Sequence, residues 1–221
     1  MGLSGEGKST LLNILLGFEQ NHQGEVKFLG NELQTFPLGS IFDHLGYYSQ
    51  TVGIFNNTLE NNIVLGRPLD AQRLEDVILD LGLDHLRGRS LGEGGSFISG
   101  GEKHRVHLAR LIYAGQRYVV LDEPLTNLDL INERWLLAKL AEFLAQRSGI
   151  IVSHKPSVLR LATTIVVLSE GQVVAVGALK DLVRSNPVCR QIIHAYVDDA
   201  RQLSRELGKT ADGAYSESDI Q

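Results

Sequence analysis

Two stretches of the chain set glycines and a hydroxyl just ahead of helix-forming sequence, and a third ends an apolar run on two carboxylates. The first, Gly2-Leu3-Ser4-Gly5-Glu6-Gly7-Lys8-Ser9-Thr10, fits the phosphate-cradling pattern G-x-x-x-x-G-K-[ST]. Glycines let the backbone curl so that successive N–H groups face an anion, and a helix beginning near Lys8 adds the positive end of its dipole. Gly2, Ser4, Gly5, Gly7 and Thr10 therefore join Lys8 and Ser9 as candidate binding residues. Lys8 suits the β- and γ-phosphates of a nucleotide, and the Ser9 hydroxyl suits a Mg²⁺ bridging them. Glu6 is the awkward member, because a carboxylate repels phosphate where water is scarce; its side chain is expected to point outward.

The second stretch, Gly92 to Glu102, opens a helix expected over residues 103–114 and offers the Ser99 hydroxyl with the N–H groups of Gly100 and Gly101, a second anion site. His104 and His107 sit at i, i+3 on that helix, but no third metal ligand accompanies them, and they are expected on a solvated face. In the third stretch, Tyr118 to Glu123 reads as a buried parallel strand that delivers its acids at the C-terminal edge. Asp122 suits the Mg²⁺ shell. Glu123, one step farther along a pleated strand, points elsewhere and can polarise a water for attack on a γ-phosphate. Gln50, at the end of a strand over Leu45 to Tyr48, can touch Mg²⁺ or that water, although a loop glutamine by itself is usually just solvated. His154 closes a buried strand from Ile150 at the same edge and suits contact with the γ-phosphate.

Several elements must position these groups. Residues 8–17 read as a helix that is apolar almost all round and therefore buried; residues 24–30 read as a short strand. Leu74, Val77, Ile78 and Leu81 recur at i, i+3, i+4, i+7 and define a helix that Gly82 stops. Leu125 to Asp129 form a loop before a helix with Leu136, Leu137, Leu140, Phe143 and Leu144 on its apolar side. Ile165 to Leu168 and Gln172 to Val176 form a hairpin, helical segments run to about Tyr196, and the polar end is expected to be disordered.

Composition narrows the function classes. With 221 residues, 43% hydrophobic and 21% charged, the chain can bury the core of one large domain or two lobes. A net charge of −5 without a basic stripe gives no footprint for nucleic acid. No apolar run approaches the roughly 18 residues that span a bilayer. Cys189, alone, cannot form an internal disulfide and is expected to be buried or incidental. A phosphate loop normally follows a buried strand; here it begins at residue 2, so an upstream β region is expected to be missing and the chain to be a fragment of a longer polypeptide.

Taken in order, the motifs resemble those of the nucleotide-binding domain of ATP-binding cassette (ABC) transporters, with matches from Gly2 to about Val183. The phosphate loop is followed by Gln50 of a Q-loop, the signature Ile98-Ser99-Gly100-Gly101-Glu102, the Asp122-Glu123 Walker B pair, the D-loop Leu125-Thr126-Asn127-Leu128-Asp129 and the switch histidine His154. Ile98 and Glu102 depart from the usual Leu and Gln of the signature, and the D-loop differs from its usual Ser-Ala-Leu-Asp. The resemblance implies an α/β P-loop NTPase (RecA-like) core with a mainly parallel sheet and an inserted helical subdomain. It divides the chain into core residues 1–50, helical subdomain 51–110, core residues 111–196 and a polar tail 197–221.

The same resemblance implies ATP and Mg²⁺ as cofactors, with Ser9, Gln50 and Asp122 around the metal and Glu123, His154 and Gln50 serving hydrolysis. It also implies head-to-tail pairing with a second nucleotide-binding domain, identical or not. Ser99, Gly100, Gly101 and Asp129 of one copy then face the ATP on the other. The segment Thr58 to Ile63 and Glu93 resemble the transmembrane-coupling region of exporter-type members. That likeness implies a transmembrane domain N-terminal on the same full-length chain and a location at the cytoplasmic face of the membrane. Two other readings are a non-catalytic regulatory module and a soluble ABC ATPase acting on DNA or ribosomes. The presence of Glu123 and His154 disfavours the first, and the lack of heptads between Lys8 and Ser99 disfavours the DNA-acting form of the second.

Overall fold

The computed structural model describes residues 1–2, 5–37, 39–51 and 53–195, so Leu3, Ser4 and the polar tail lie outside the described residues. By its internal contacts the chain divides into two units, one formed by residues 1–27 with 151–221 and the other by residues 28–150.

In the first unit, α1 (Lys8–Leu15) follows the phosphate loop. The sequence reading made it buried all round, but Leu11 is 41% exposed, whereas Leu12 and Leu16 are buried. The reason is geometric: at 3.6 residues per turn, a helix this short turns only one stripe toward a core. A hairpin of β6 (Ile165–Ser169) and β7 (Gln172–Gly177) forms as expected, antiparallel, with an irregularity between Val167 and Leu168. Met1 runs beside β6: its amino group donates to the Val166 carbonyl at 2.5 Å, and the Leu168 N–H donates to the Met1 carbonyl at 2.8 Å. Met1, Ile165, Val167, Leu182, Ile192 and Ile193 then share one apolar core with Cys189, which is fully buried. The short α6 (Pro156–Leu159), α7 (Leu179–Ser185) and a helix over residues 187–195 supply the rest of that core.

The second unit carries a three-stranded sheet in the order β3-β4-β5, made of β3 (Leu45–Tyr48), β4 (Tyr118–Asp122) and β5 (Ser148–Val152), the last of which runs across the boundary between the units. β3 and β4 are parallel, in register from Leu45 against Tyr118 to Tyr48 against Leu121. β4 is buried, as its continuous apolar run requires. β5 is not the buried strand that its sequence suggests: Ile150 is 45% exposed, because among the described residues β5 lies at the end of the strand order β3-β4-β5. The strand expected over 24–30 shrinks to β1 (Lys27–Phe28), paired with β2 (Asn31–Glu32), and Phe28 packs edge-on against Phe36 and Tyr118.

Between β3 and β4 the chain is helical, as its periodicity requires. α2 (Leu59–Val64) is capped by the Thr58 hydroxyl and α3 (Ala71–Asp80) by the Asp70 carboxylate. α4 (Gly100–Ala114) starts at Ser99 and ends at Gly115, whose φ of 71° is the left-handed value that closes a helix. Leu59, Ile63, Ile78, Leu81, Leu91 and Leu108 are fully buried in this unit, each contributing about 1.5–3 kcal/mol of transfer free energy. After β4, α5 (Leu130–Leu144) is capped by Asp129 and buries Leu136, Leu140 and Phe143. Among the described residues no helix is long and apolar enough to cross a membrane.

Candidate nucleotide site

The phosphate loop has the conformation its glycines allow. Gly5 and Gly7 have φ of 87° and 82°, and a Cβ on either would meet nothing within 4 Å, so these positions call for glycine by backbone conformation and not by crowding. Gly2 is different, since a Cβ there would stand 2.7 Å from the Leu168 carbonyl of β6. Gly7, which precedes α1, has no side chain with which to cap that helix, whose N-terminal turn attracts anions by its dipole. Lys8 Nζ donates to the Gly2 carbonyl at 2.9 Å and so spans its own loop, while Ser9 and Thr10 stand exposed in the first turn. The Glu6 carboxylate turns away, as expected, and accepts the Glu170 N–H from the β6–β7 turn. Left-handed glycines, a helix start and a lysine across the loop fit a polyphosphate. His154, in the same unit, is exposed and follows β5; beside it, buried Ser153 accepts the Lys155 N–H at 3.1 Å.

In the second unit, parallel β3 and β4 end at one edge of the sheet, which puts Gln50, Asp122 and Glu123 on the segments leaving that edge. Gln50 is exposed in a bend. Asp122 and Glu123 are 8% and 9% exposed, so two carboxylates are buried side by side in the chain. Their arrangement corrects the sequence reading, which continued the pleated strand through Glu123. β4 ends at Asp122, and Glu123 has φ of 46°. A left-handed conformation costs a residue with a Cβ on the order of 1–3 kcal/mol, and Glu123 keeps it in a buried turn whose Thr126 N–H donates to the Glu123 carbonyl at 3.1 Å. Burial, and then the nearby Asp122 charge, raise the pKa of the Tyr47 phenol.

The signature opens α4 with a reciprocal cap. The Ser99 N–H and hydroxyl both donate to the Glu102 carboxylate at 2.7 Å, and the Glu102 N–H donates to the Ser99 hydroxyl at 3.3 Å. His85 Nε2 lies 2.6 Å from the other Glu102 oxygen. Burial alone would raise the Glu102 pKa; hydrogen bonds from Ser99 and His85 outweigh it and hold the carboxyl below its usual range. From α5, the Asn132 amide donates to Asp129 at 2.7 Å, and the Ile131 and Asn132 N–H groups donate to the same carboxylate at 3.0 Å. These bonds, those from Asn132 foremost, lower the Asp129 pKa. Asn132 also packs on Gly101, so the second unit brings the signature and the D-loop together.

The two histidines of α4 overturn another expectation. His104 and His107 are 7% and 5% exposed, not solvated, because that face of α4 packs on β3. Burial in the first place, then the charges of Arg110 and His104, push the His107 pKa down to about 3, which keeps the ring neutral. Sequence reading also missed Asn62 and Arg110. Asn62, fully buried, donates to the carbonyls of Phe55, Asn57 and Thr58 at 3.0–3.1 Å. Arg110 donates to the Asn62 and Gly53 carbonyls at 2.7 and 2.6 Å, pinning the segment after the Q-loop onto α4. The available signal was the almost unbroken burial implied by Val106-His107-Leu108-Ala109-Arg110-Leu111.

Comparison with known proteins identifies the family. The family model described as ABC transporter matches residues 1–126. An ATP-dependent lipid A-core flippase of Saccharophagus degradans is 30% identical over 203 residues, covering 88% of this chain and 35% of its own length. The flippase of the same description from Hahella chejuensis is 33% identical over 199 residues, covering 84% of this chain and 33% of its own length. The chain thus spans about a third of the length of the curated relatives it matches. Among solved structures, that of a bacterial Atm1-family ABC exporter with ATP bound superposes with a TM-score of 0.80 at 26% identity, over 90% of this chain and 36% of that one. With its phosphate loop, signature and buried acidic strand end in the family's order, the chain belongs to the ABC transporter family.

Proposed function

We propose that the chain binds and hydrolyses ATP to power an ABC exporter, working as one half of a head-to-tail pair in which each nucleotide lies between two cassettes. The observation that carries this reading is the end of β4, where Asp122 and Glu123 are buried and Glu123 keeps a strained left-handed backbone. Strain of this kind persists at sites that need a side chain aimed in one direction. Mg²⁺, when bound, would neutralise charge on the β- and γ-phosphate oxygens; the motif likeness to the family, and not a placement in the structure, is what names Ser9, Asp122 and Gln50 as the residues that would hold it. Lys8 and the N–H groups from Gly5 to Thr10 hold the phosphates, with Gly2 and Ser4 in the same loop. Glu123 accepts a proton from the attacking water, and His154 holds the γ-phosphate.

Ser99, Gly100 and Gly101, with Asp129, serve the nucleotide of the partner domain. Support comes from Asn132, which links the D-loop carboxylate to the signature glycine and would let the two motifs move as one. The relatives are named as ATP-dependent flippases, and the chain covers about a third of them, 35% in one case. That proportion fits a cassette serving a transmembrane domain at the cytoplasmic face, coupled through the helical subdomain 51–110. The test uses the protein expressed from its native gene. Ser99→Phe should suppress phosphate release while ATP binding stays within about twofold, whereas Lys8→Ala should lose binding itself. Equal loss of binding and release in Ser99→Phe would overturn the composite site.

A further inference from the structure

We infer that Tyr48 is a positioning residue for hydrolysis: its phenol, bonded to His104, locks the strand end that carries Gln50 to the signature helix. The inference deepens the ATPase reading and rests on it. Tyr48 is the last residue of β3 and is completely buried. Its hydroxyl lies 2.6 Å from His104 Nδ1 and 3.4 Å from the carbonyl of Pro124, the residue after Glu123. One oxygen therefore meets segments adjoining three motifs. Gln50 follows on the Tyr48 strand, Ser99 opens the helix in which His104 sits, and Glu123 precedes Pro124.

The surroundings hold this oxygen in place. The His107 ring stacks on Tyr48 with centroids 4.1 Å apart and planes 13° from parallel. Close approach of the elements removes slack, since a Cβ at Gly46 in β3 would come 2.9 Å from the Leu111 side chain of α4. Phenylalanine would fill the same space and stack as well, so packing does not explain the hydroxyl. A buried hydrogen bond, unlike apolar contact, is directional and fixes one relative placement of the two elements, because any slide stretches it out of range. A tilt of α4 when the signature engages a nucleotide is thereby transmitted to Gln50 and to the turn holding Glu123.

The experiment removes the hydroxyl and keeps the ring, in the protein expressed from its native gene. Tyr48→Phe should lower kcat about tenfold, the scale of one buried hydrogen bond, with ATP affinity little changed and Tm lowered by a few degrees at most. His104→Ala should do the same, and the double variant should be no slower than either single one, since both remove one interaction. His104→Asn, which returns a polar atom near the Nδ1 position, should recover most of the turnover. The inference is overturned if Tyr48→Phe leaves kcat unchanged, if ATP affinity falls in step with kcat in both single variants, or if the two effects multiply. Absence of phosphate release from the unaltered protein is a separate outcome that overturns the ATPase reading and this inference with it.

Discussion

Gly101 of the signature faces the Asn132 side chain so closely that a Cβ at position 101 would stand 2.7 Å from the amide carbon and oxygen. Asn132 is not free to yield, because its amide is bonded to Asp129, which in turn caps α5. The signature glycine is thus fixed by a neighbour in its own chain as well as by whatever approaches its N–H.

Gly101→Ala should therefore displace Asn132 and disturb the Asp129 cap. Overpacking of this size costs about 1–3 kcal/mol, to be read from a denaturant titration. Relief should follow from Asn132→Gly in the same chain, which removes the obstructing amide. Failure of that second change to restore any stability would mean that the clash lies elsewhere.

The cap at the start of α4 supports a pH prediction. The Glu102 pKa is lowered in the folded chain from its ordinary value of 4.5. A lowered carboxylate pKa gives stability that is fully present above the unfolded value and is lost as pH falls through the folded one. Below about pH 4.5 the chain should lose a contribution that Glu102→Gln lacks, so the two should converge in Tm on acidification. At neutral pH the difference should be about 1 kcal/mol or less, since the carboxylate is partly exposed and screened. Parallel Tm curves from pH 7 to pH 3.5 would contradict this.

Much of the fold was legible because local chemistry and tertiary demand agree. The glycines around Lys8, the apolar run of β4 and the i, i+3, i+4 pattern around Leu74 each admit one local structure. What escaped reading depends on contacts distant in sequence. His104 and His107 are polar by type and become interior only through Tyr48, which lies on another element. The burial of Asn62 follows from Arg110 and the Phe55 segment folding around it. Periodicity reports the face of an element and cannot say whether that face meets water or a matching polar group. The left-handed backbone of Glu123 was hidden for a related reason, since a strand pattern gives no sign of the residue at which the pleat stops.

The proposed hydrolysis depends on Glu123 as the group that activates water. Glu123→Gln keeps the shape and the buried position and removes the charge and most of the basicity. The most direct measurement follows ATP retention and phosphate release side by side in the protein expressed from its native gene. Retention should persist, with the closed pair accumulating, while release falls by about 10²–10⁴, the usual contribution of a general base. Phosphate release at the unaltered rate in Glu123→Gln would remove this residue from the chemistry and contradict the account.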